Sequence, residues 1–151
     1  MNNNNCALKF NKYIVKTIEF KKNMKYDENK DNNSINIDIA NSIRYIGENK
    51  FKVGLKITLG DKDLQNIKSP FYLLVEILGD FELIGSTENR EQFAKINATS
   101  ILFPYVRALI TNITANANIP PLILPPMNIV NMIENNEKNK NKNKNNSEKE
   151  N

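Results

Sequence analysis

Alternation of apolar and polar residues marks four segments in the first 84 residues, and each is predicted to be a β-strand. The clearest lies at residues 51 to 60, where Phe51, Val53, Leu55, Ile57 and Leu59 share one face. The other three lie at residues 8 to 20, 34 to 40 and 71 to 84. The first of these is predicted to face inward with Leu8, Phe10, Ile14, Ile18 and Phe20, and the second with Ile35, Ile37 and Ile39. The third is predicted to face inward with Phe71, Leu73, Val75, Ile77, Phe81 and Leu83. Residues 47 to 49, Gly-Glu-Asn, predict a hairpin turn between the second and third strands.

The fourth segment is also apolar at one end of its opposite face. Tyr72, Leu74 and Leu78 lie there beside Glu76, Asp80 and Glu82. One helical layer cannot cover both sides of a sheet, so this patch is expected to be covered by something else or to bind a partner.

The pattern becomes helical after residue 85. Ser86 or Thr87 is expected to cap a turn, and the main helix is predicted at residues 99 to 116, with Pro104 in its first turn. Apolar side chains cover most of its circumference: Ile101, Leu102, Tyr105, Val106, Leu109, Ile110 and Ile113. A helix that is apolar on most sides is buried on most sides, so a second subunit is expected to cover the side away from the sheet.

Two Pro-Pro pairs, at residues 120–121 and 125–126, separate this helix from a shorter one. A proline disfavours helical geometry in the residue before it, so the bridge is predicted to be extended. The second helix is expected to begin near Asn128 and to place Ile129, Met132 and Ile133 on one face. Four strands followed by two helices predict an α+β fold with an antiparallel sheet.

Residues 101 to 133 are long enough to span a membrane, but their prolines and asparagines would leave polar groups unsatisfied in lipid. No stable membrane insertion is therefore expected. Residues 1 to 134 are predicted to form one domain. Residues 135 to 151 contain only Asn, Lys, Glu and Ser and are predicted to be a disordered tail. Their five Lys and three Glu carry +2 of the chain's net charge of +4, so the domain itself is nearly neutral and nucleic acid is not an expected partner.

The composition also argues against an enzyme. The chain has no histidine and a single cysteine, Cys6, which excludes an intramolecular disulfide and disfavours zinc and His-based chemistry. Phosphate-binding loops, nucleophile elbows and metal-ligand clusters are missing from the sequence. We therefore expect a cytoplasmic binding protein with no catalytic residues, no metal and no cofactor.

Two proline-containing motifs resemble a known family. The segment ILFPYVRALITNIT at 101 to 114, followed by IPPLILPPMNI at 119 to 129, is similar to the ILFPYAR and PxLxLxPxNF motifs of SecB, the tetrameric protein-export chaperone. The strand FYLLVEILGDFELIG at 71 to 85 resembles the same family through Phe71, Val75, Gly79, Phe81 and Gly85. Together these motifs and the succession of elements cover about residues 8 to 134.

The resemblance implies a dimer of dimers without a cofactor, which binds unfolded or precursor polypeptides in hydrophobic grooves. Carried over by position, the client-binding residues are Ile35, Ile37, Ile39, Leu122, Leu124, Met127, Ile129, Met132 and Ile133, although the same side chains also fit a plain core. The subunit interface implied is Leu73, Val75 and Ile77 on the fourth strand, with Ile101, Leu102, Tyr105, Val106, Leu109, Ile110 and Ile113 on the main helix.

The family's export members dock the motor ATPase SecA through acidic residues on the sheet. Thr17, Lys21 and Leu74 occupy the matching positions here, so SecA docking is expected to be weakened, or rebuilt on Glu19, Glu76 or Glu82. Three functions follow as hypotheses: a general export holdase, a SecB-like chaperone dedicated to the antitoxin of a toxin–antitoxin pair, and a non-catalytic oligomeric scaffold.

Overall fold

Four antiparallel strands followed by helices build the fold. The computed structural model describes residues 6–29, 35–64 and 69–147. Strands Ala7–Lys22 (β1), Ile37–Tyr45 (β2), Lys50–Leu59 (β3) and Phe71–Ile84 (β4) pair in the order β1-β4-β3-β2. A helical turn Arg90–Gln92 (α1), a π-helical segment Phe93–Ala98, and helices Thr99–Asn116 (α2) and Ile129–Ser147 (α3) follow. The predicted α+β class and the antiparallel sheet are confirmed.

Two bulges interrupt the alternation of β1. The register against β4 shifts between Phe10 and Lys12 and again between Val15 and Thr17. Residues directly opposite each other in a sheet share a face, so Val15, opposite Ile77, faces the helices. Ile14, opposite Leu78, faces away from them. The predicted inward orientation of Ile14 is therefore wrong, because each bulge shifts the parity by one residue.

The hairpin between β2 and β3 forms where it was predicted. Gly47 has φ 91° in the turn, and the N–H of Ile46 donates to Lys50 O at 2.7 Å. The second strand itself lies later than predicted, at 37 to 45 instead of 34 to 40. Residue 34 lies outside the described part of the chain. Pairing with β3 determines these limits, since every residue from Ile37 to Tyr45 has a partner there.

Helix α2 packs across the sheet, and its bounds match the prediction. Leu102, Val106 and Ile110 are fully buried against β3 and β4. Gly79 of β4 allows this close approach, because a Cβ there would lie 2.7 Å from Leu102 Cδ2. The prediction that Ser86 or Thr87 caps the helical run is wrong, because the N-cap of α1 is Asn89, without a side-chain hydrogen bond. Ser86 Oγ instead accepts from the N–H of Glu88 at 3.3 Å in the loop before the helix.

The prediction for Pro104 is wrong in detail. α1 and the π-helical segment lead directly into α2, so Pro104 lies inside a helical run and not in its first turn. Its side chain is on the exposed side of α2. Water can therefore reach the backbone groups on that side that lose a hydrogen bond to the missing N–H.

Six of the predicted interface residues belong to the core of the single chain. Leu73, Val75, Ile77, Leu102, Val106 and Ile110 all have 0% exposure. The assignment of these six to a subunit interface is wrong, because sheet and helix bury them against each other. The other four, Ile101, Tyr105, Leu109 and Ile113, retain exposed surface on α2.

Helix α3 continues well beyond the predicted limit. It runs to Ser147, so the prediction of disorder from residue 135 is wrong for residues 135 to 147. The Nδ2 of Asn136 donates to Asp38 Oδ1 at 2.9 Å and to Ile39 O at 3.2 Å, which fixes this part of the helix to the edge of the sheet. The last four residues, 148 to 151, fall outside the described chain.

Residues 101 to 133 do not form a single span. They comprise most of α2, an extended bridge without helix or strand at 119 to 128, and the start of α3. Among the described residues, no helix is both long enough and apolar enough to cross a membrane.

Candidate functional site

A cavity of about 500 Å³ lies between the bridge and one end of the sheet. Its volume is within the range of about 300–1,000 Å³ that is typical of ligand pockets. One wall is the first part of the bridge, from Ile119 to Leu122. The opposite wall consists of Ile35, Pro70, Phe71 and Tyr26, and Lys22 and Glu28 bring charge to the lining. An apolar cavity with two charged side chains suits the side chain of a large apolar residue.

The wall on the sheet side is fixed by Asn23, which is buried. Its backbone N–H donates to Pro70 O at 3.0 Å and its Nδ2 donates to Ser69 O at 2.9 Å. Its Oδ1 accepts a hydrogen bond from the N–H of Lys25 at 3.0 Å. These bonds tie the end of β1 to the start of β4, where Lys22 lies opposite Phe71 in the register.

The wall on the bridge side begins at a reversal of the chain after α2. Asn118 has φ 57°, its N–H donates to Ala115 O at 3.2 Å, and the N–H of Ile119 donates to Thr114 O at 3.3 Å. This pair of bonds is the Schellman motif, which ends a helix at a residue in left-handed geometry. The chain therefore turns back along α2, and Leu122 lies beside Thr111 and Thr114.

The predicted client-binding residues fall into three groups. Ile35 and Leu122 line the cavity. Ile37, Met127 and Met132 are half-buried and pack against the core from its periphery. The remaining four are buried core residues with 0–2% exposure, so they support the site from behind and present no open surface: Ile39, Leu124, Ile129 and Ile133.

Sequence reasoning missed most of the cavity. Pro120 and Pro121 were recognised as a rigid bridge but not as a wall, and Phe71 was assigned to the core. Tyr26 lies in a polar loop with no periodic pattern. The pairing of β1 with β4 brings the loop after β1 to the start of β4, and this topology is the signal that could have located them.

Acidic residues on the outer face of the sheet, opposite the helices, have partners within the chain. Glu76 pairs with Lys16 at 3.0 Å, Asp80 with Lys52 at 2.8 Å, and Glu19 with Lys21 at 3.1 Å. Glu82 accepts a hydrogen bond from Asn49 Nδ2 at 3.4 Å. Each of the three acids considered as substitutes for SecA docking therefore has a partner within the chain.

Three residues lie on this same outer face at the positions where the family's export members carry the acids that dock SecA: Thr17, Lys21 and Leu74. Thr17 is opposite Glu76 and Lys21 is opposite Tyr72, while Leu74 is opposite Glu19. Tyr72 is buried there, and Leu74 and Leu78 are half-buried. The apolar patch predicted on β4 is thus present, next to the exposed Ile14.

Metal-ligating and nucleophilic groups do not converge in the described ranges. No cluster of three or more His, Cys, Asp or Glu that could hold a metal ion occurs there. The thiol of Cys6 donates to Ser86 O at 3.1 Å, which ties the start of β1 to the loop after β4.

The family model described as preprotein translocase subunit SecB matches residues 2–140. The chain belongs to the SecB family. This match covers the sheet, α2, the bridge and the first part of α3, so the resemblance carried by the two proline motifs is confirmed.

Relatives of this SecB-family chain occur in archaea and bacteria. An uncharacterized protein of Methanocaldococcus jannaschii is 52% identical over 136 residues, which are 88% of this chain and 86% of that protein. The protein-export protein SecB of Alcanivorax borkumensis is 31% identical over 96 residues, which are 62% of this chain and 61% of that protein.

A solved structure shares the fold. It is the Mycobacterium tuberculosis Rv1957 SecB-like chaperone in complex with a ChAD peptide from the Rv1956 HigA1 antitoxin. The TM-score is 0.59 at 16% identity, with 80% of this chain and 90% of that chain covered. The SecB-like architecture of this chain is thereby established at the level of the fold.

Proposed function

We propose that this SecB-family chain is an ATP-independent holdase in the cytoplasm, which binds unfolded precursor polypeptides and keeps them competent for export. The observation that carries the proposal is the apolar cavity between the Pro-Pro bridge and the end of the sheet. Both of its walls are fixed by buried polar groups, Asn23 on one side and Thr114 on the other. A preformed cavity binds at a lower cost in ordering than a flexible one.

The chemistry of the wall favours apolar side chains of many shapes. Pro120 and Pro121 have no N–H groups, so this part of the bridge offers carbon surface and carbonyls but no main-chain donors. An unfolded client would insert a large apolar side chain between Leu122 and Phe71. Binding of this kind needs no nucleotide, because burial of apolar surface supplies the free energy.

The client surface in this proposal extends beyond the cavity. Ile123 is an exposed aliphatic residue of the bridge. Met127 and Met132, later in the sequence, are half-buried and so have part of their surface exposed. Unbranched thioethers repack around different partners. Ile39, Leu124, Ile129 and Ile133 support this surface from the core.

Assembly into a dimer of dimers is part of the same proposal. The outer side of α2 carries Ile101, Tyr105 and Ala108, and the ring of Tyr105 packs at a tilt against the ring of Tyr13 with centroids 4.7 Å apart. Val15 and Ile18 continue this apolar surface along β1 with 43% and 47% exposure. Several cavities in one assembly would hold one client by multivalency.

Suppression of aggregation without ATP tests the holdase function. We expect the wild-type protein to protect several non-native precursors, whereas no protection of any precursor would refute the proposal. A buried aliphatic side chain contributes about 1.5–3 kcal/mol, so Leu122→Ser should weaken protection by about tenfold or more. Ile46→Ser is the matched control, because Ile46 is an exposed aliphatic residue in the β2–β3 hairpin and is not part of the cavity lining.

A chaperone dedicated to an antitoxin is the second candidate. The pairing of acids on the outer face favours it, since Glu19, Glu76 and Asp80, which could attract a basic docking partner, are already paired with lysines. The structure with the same fold is described with an antitoxin peptide. Protection of one antitoxin and of no general precursor would select this function, and retention of the host's SecA in a pull-down would favour export instead.

A further inference from the structure

One buried side chain fixes both ends of the first Pro-Pro pair. The two residues that flank the pair, Ile119 and Leu122, supply the only N–H groups between residues 119 and 122, because prolines have none. The N–H of Ile119 donates to the main-chain O of Thr114 at 3.3 Å, and the N–H of Leu122 donates to its Oγ1 at 2.9 Å. Both main-chain donors of this wall are therefore bound to the same residue, Thr114.

The hydroxyl of Thr114 is oriented for this purpose. It has 0% exposure and donates to Ile110 O at 2.9 Å or to Thr111 O at 3.0 Å in its own helix, which leaves a lone pair for the N–H of Leu122. Thr111 completes the arrangement, since its Oγ1 donates to Leu122 O at 2.9 Å or to Arg107 O at 3.1 Å. Both backbone polar groups of Leu122 are thus bound to threonines of α2.

Thr114 is not part of the cavity lining, but Leu122 is. A wall of two prolines has no donors of its own with which to bind a neighbouring strand, so its position depends on the bonds at its two ends. Loss of the Thr114 hydroxyl would leave the N–H of Leu122 without its acceptor. Because an unpaired buried N–H costs free energy, we expect this part of the wall to shift.

We propose that Thr114 is a positioning residue of the client cavity: its hydroxyl holds the Pro120-Pro121 wall at the distance from Phe71 that admits a large apolar side chain. This inference rests on the proposed function. It adds that the selectivity of the cavity is determined from within α2, by a residue that no client touches.

Hydrogen exchange and binding in Thr114→Val test the proposal. Valine keeps the shape and removes the hydroxyl. Thr99→Val is the matched control, because Thr99 is equally buried on the same helix and accepts a hydrogen bond from Asn41 Nδ2 at 3.2 Å, remote from the bridge in sequence. Thr114→Ser keeps the hydroxyl and should restore the wild-type behaviour.

We expect the amide of Leu122 to exchange about tenfold faster in Thr114→Val, with no change in Thr99→Val. Affinity for reduced, carboxymethylated α-lactalbumin, a permanently unfolded polypeptide, should fall about fivefold to tenfold in Thr114→Val alone. If Thr114→Val does not fold, Thr114→Ala, which also lacks the hydroxyl, replaces it, with Thr99→Ala as the matched control.

The outcomes separate this inference from the proposed function. Equal affinities in Thr114→Val and Thr99→Val, with the wild type binding the polypeptide, would overturn the positioning role and leave the holdase intact. If the wild type binds no unfolded polypeptide, the proposed function fails. The fluorescent apolar probe bis-ANS then reports on the cavity: weaker binding in Thr114→Val than in Thr99→Val supports the positioning role, and equal binding overturns it.

Discussion

Tyr72 lies buried on the outer face of the sheet, opposite Lys21 and near Glu19. Burial raises the pKa of its phenol, the charge of Glu19 raises it further, and Lys21 lowers it in part. The folded chain therefore keeps the phenol protonated at a pH where the unfolded chain has begun to lose the proton. The stability from this difference is present below the unfolded pKa of about 10 and is lost as the pH rises through the folded pKa.

We expect Tyr72→Phe to reduce the loss of stability in alkali. Between about pH 8 and about pH 11, the free energy of unfolding should fall more steeply for the wild type than for the variant. Urea unfolding at several pH values measures both slopes. Tyr45→Phe removes an exposed phenol and should keep the wild-type slope. Identical slopes for the wild type and Tyr72→Phe would contradict the role of the buried phenol.

Arg90 joins the start of the helical layer to the β2–β3 hairpin. Its Nη1 donates to Gly47 O at 3.1 Å and to Glu48 O at 3.2 Å, and its guanidinium lies 4.1 Å from the centroid of Tyr45. Arg90→Ala should lower the free energy of unfolding by about 1 kcal/mol in urea titrations. Arg44→Ala, an exposed arginine of β2, is the control, and an equal loss in both variants would show that Arg90 has no special role.

The residues of the cavity could be predicted only in part. Ile35 and Leu122 were identified from motif position, whereas Ile129 and Ile133 were predicted as groove residues and are core. An apolar face of a helix looks the same in sequence whether it lines a groove or packs on a sheet. The docking site of α3 decides whether its apolar face lines a groove or packs in the core. That docking site depends on contacts with β2, which is distant in sequence.

Among the elements, those with an uninterrupted period were predicted best. β3 and β4 were located closely, because apolar and polar residues alternate along most of each strand. β1 was predicted with one face, but its two bulges turn Ile14 outward and Val15 inward. A bulge has no sequence signature here, since it follows from pairing with β4.

The extension of α3 was missed because its composition offers nothing to bury. Residues 138 to 144 are exposed, as expected, but Asn136 binds the edge of β2 and Glu137 lies 4.0 Å from Lys95. β2 is an edge strand, so the outward carbonyl of Ile39 is available to accept from Asn136. Polar contacts with an edge strand can thus orient a helix whose composition indicates disorder.

Asn136→Ala tests this attachment. Alanine has a higher helix propensity than asparagine, so propensity alone predicts a firmer helix, whereas loss of the two hydrogen bonds predicts a looser one. We expect the loss to dominate and cleavage by trypsin at Lys138 to be severalfold faster. Asn141→Ala, at an exposed position of the same helix, should not accelerate cleavage. Slower cleavage in Asn136→Ala would contradict the attachment.

For the whole molecule, the two exposed apolar surfaces face different directions. The outer face of the sheet has a small apolar patch among paired charges, whereas the outer side of α2 and the adjoining edge of β1 are mainly apolar, with Arg107 as the one charged residue of the helix. The second surface is the larger candidate for contact between copies of the chain. Its separation from the cavity would leave the client site open in an assembly.

Ala108→Glu tests the proposed assembly at the level of the whole molecule. Ala108 is exposed on the outer side of α2, and glutamate is a good helix former, so the fold of one chain should be preserved. A carboxylate buried there between copies would be unpaired, and its desolvation should dissociate the assembly.

Size-exclusion chromatography with light scattering should show a tetramer for the wild type and smaller species for Ala108→Glu. The control Asn139→Glu, at an exposed position of α3, should remain a tetramer. A wild-type protein that is monomeric, or a variant that assembles like the wild type, would show that the copies do not meet across α2.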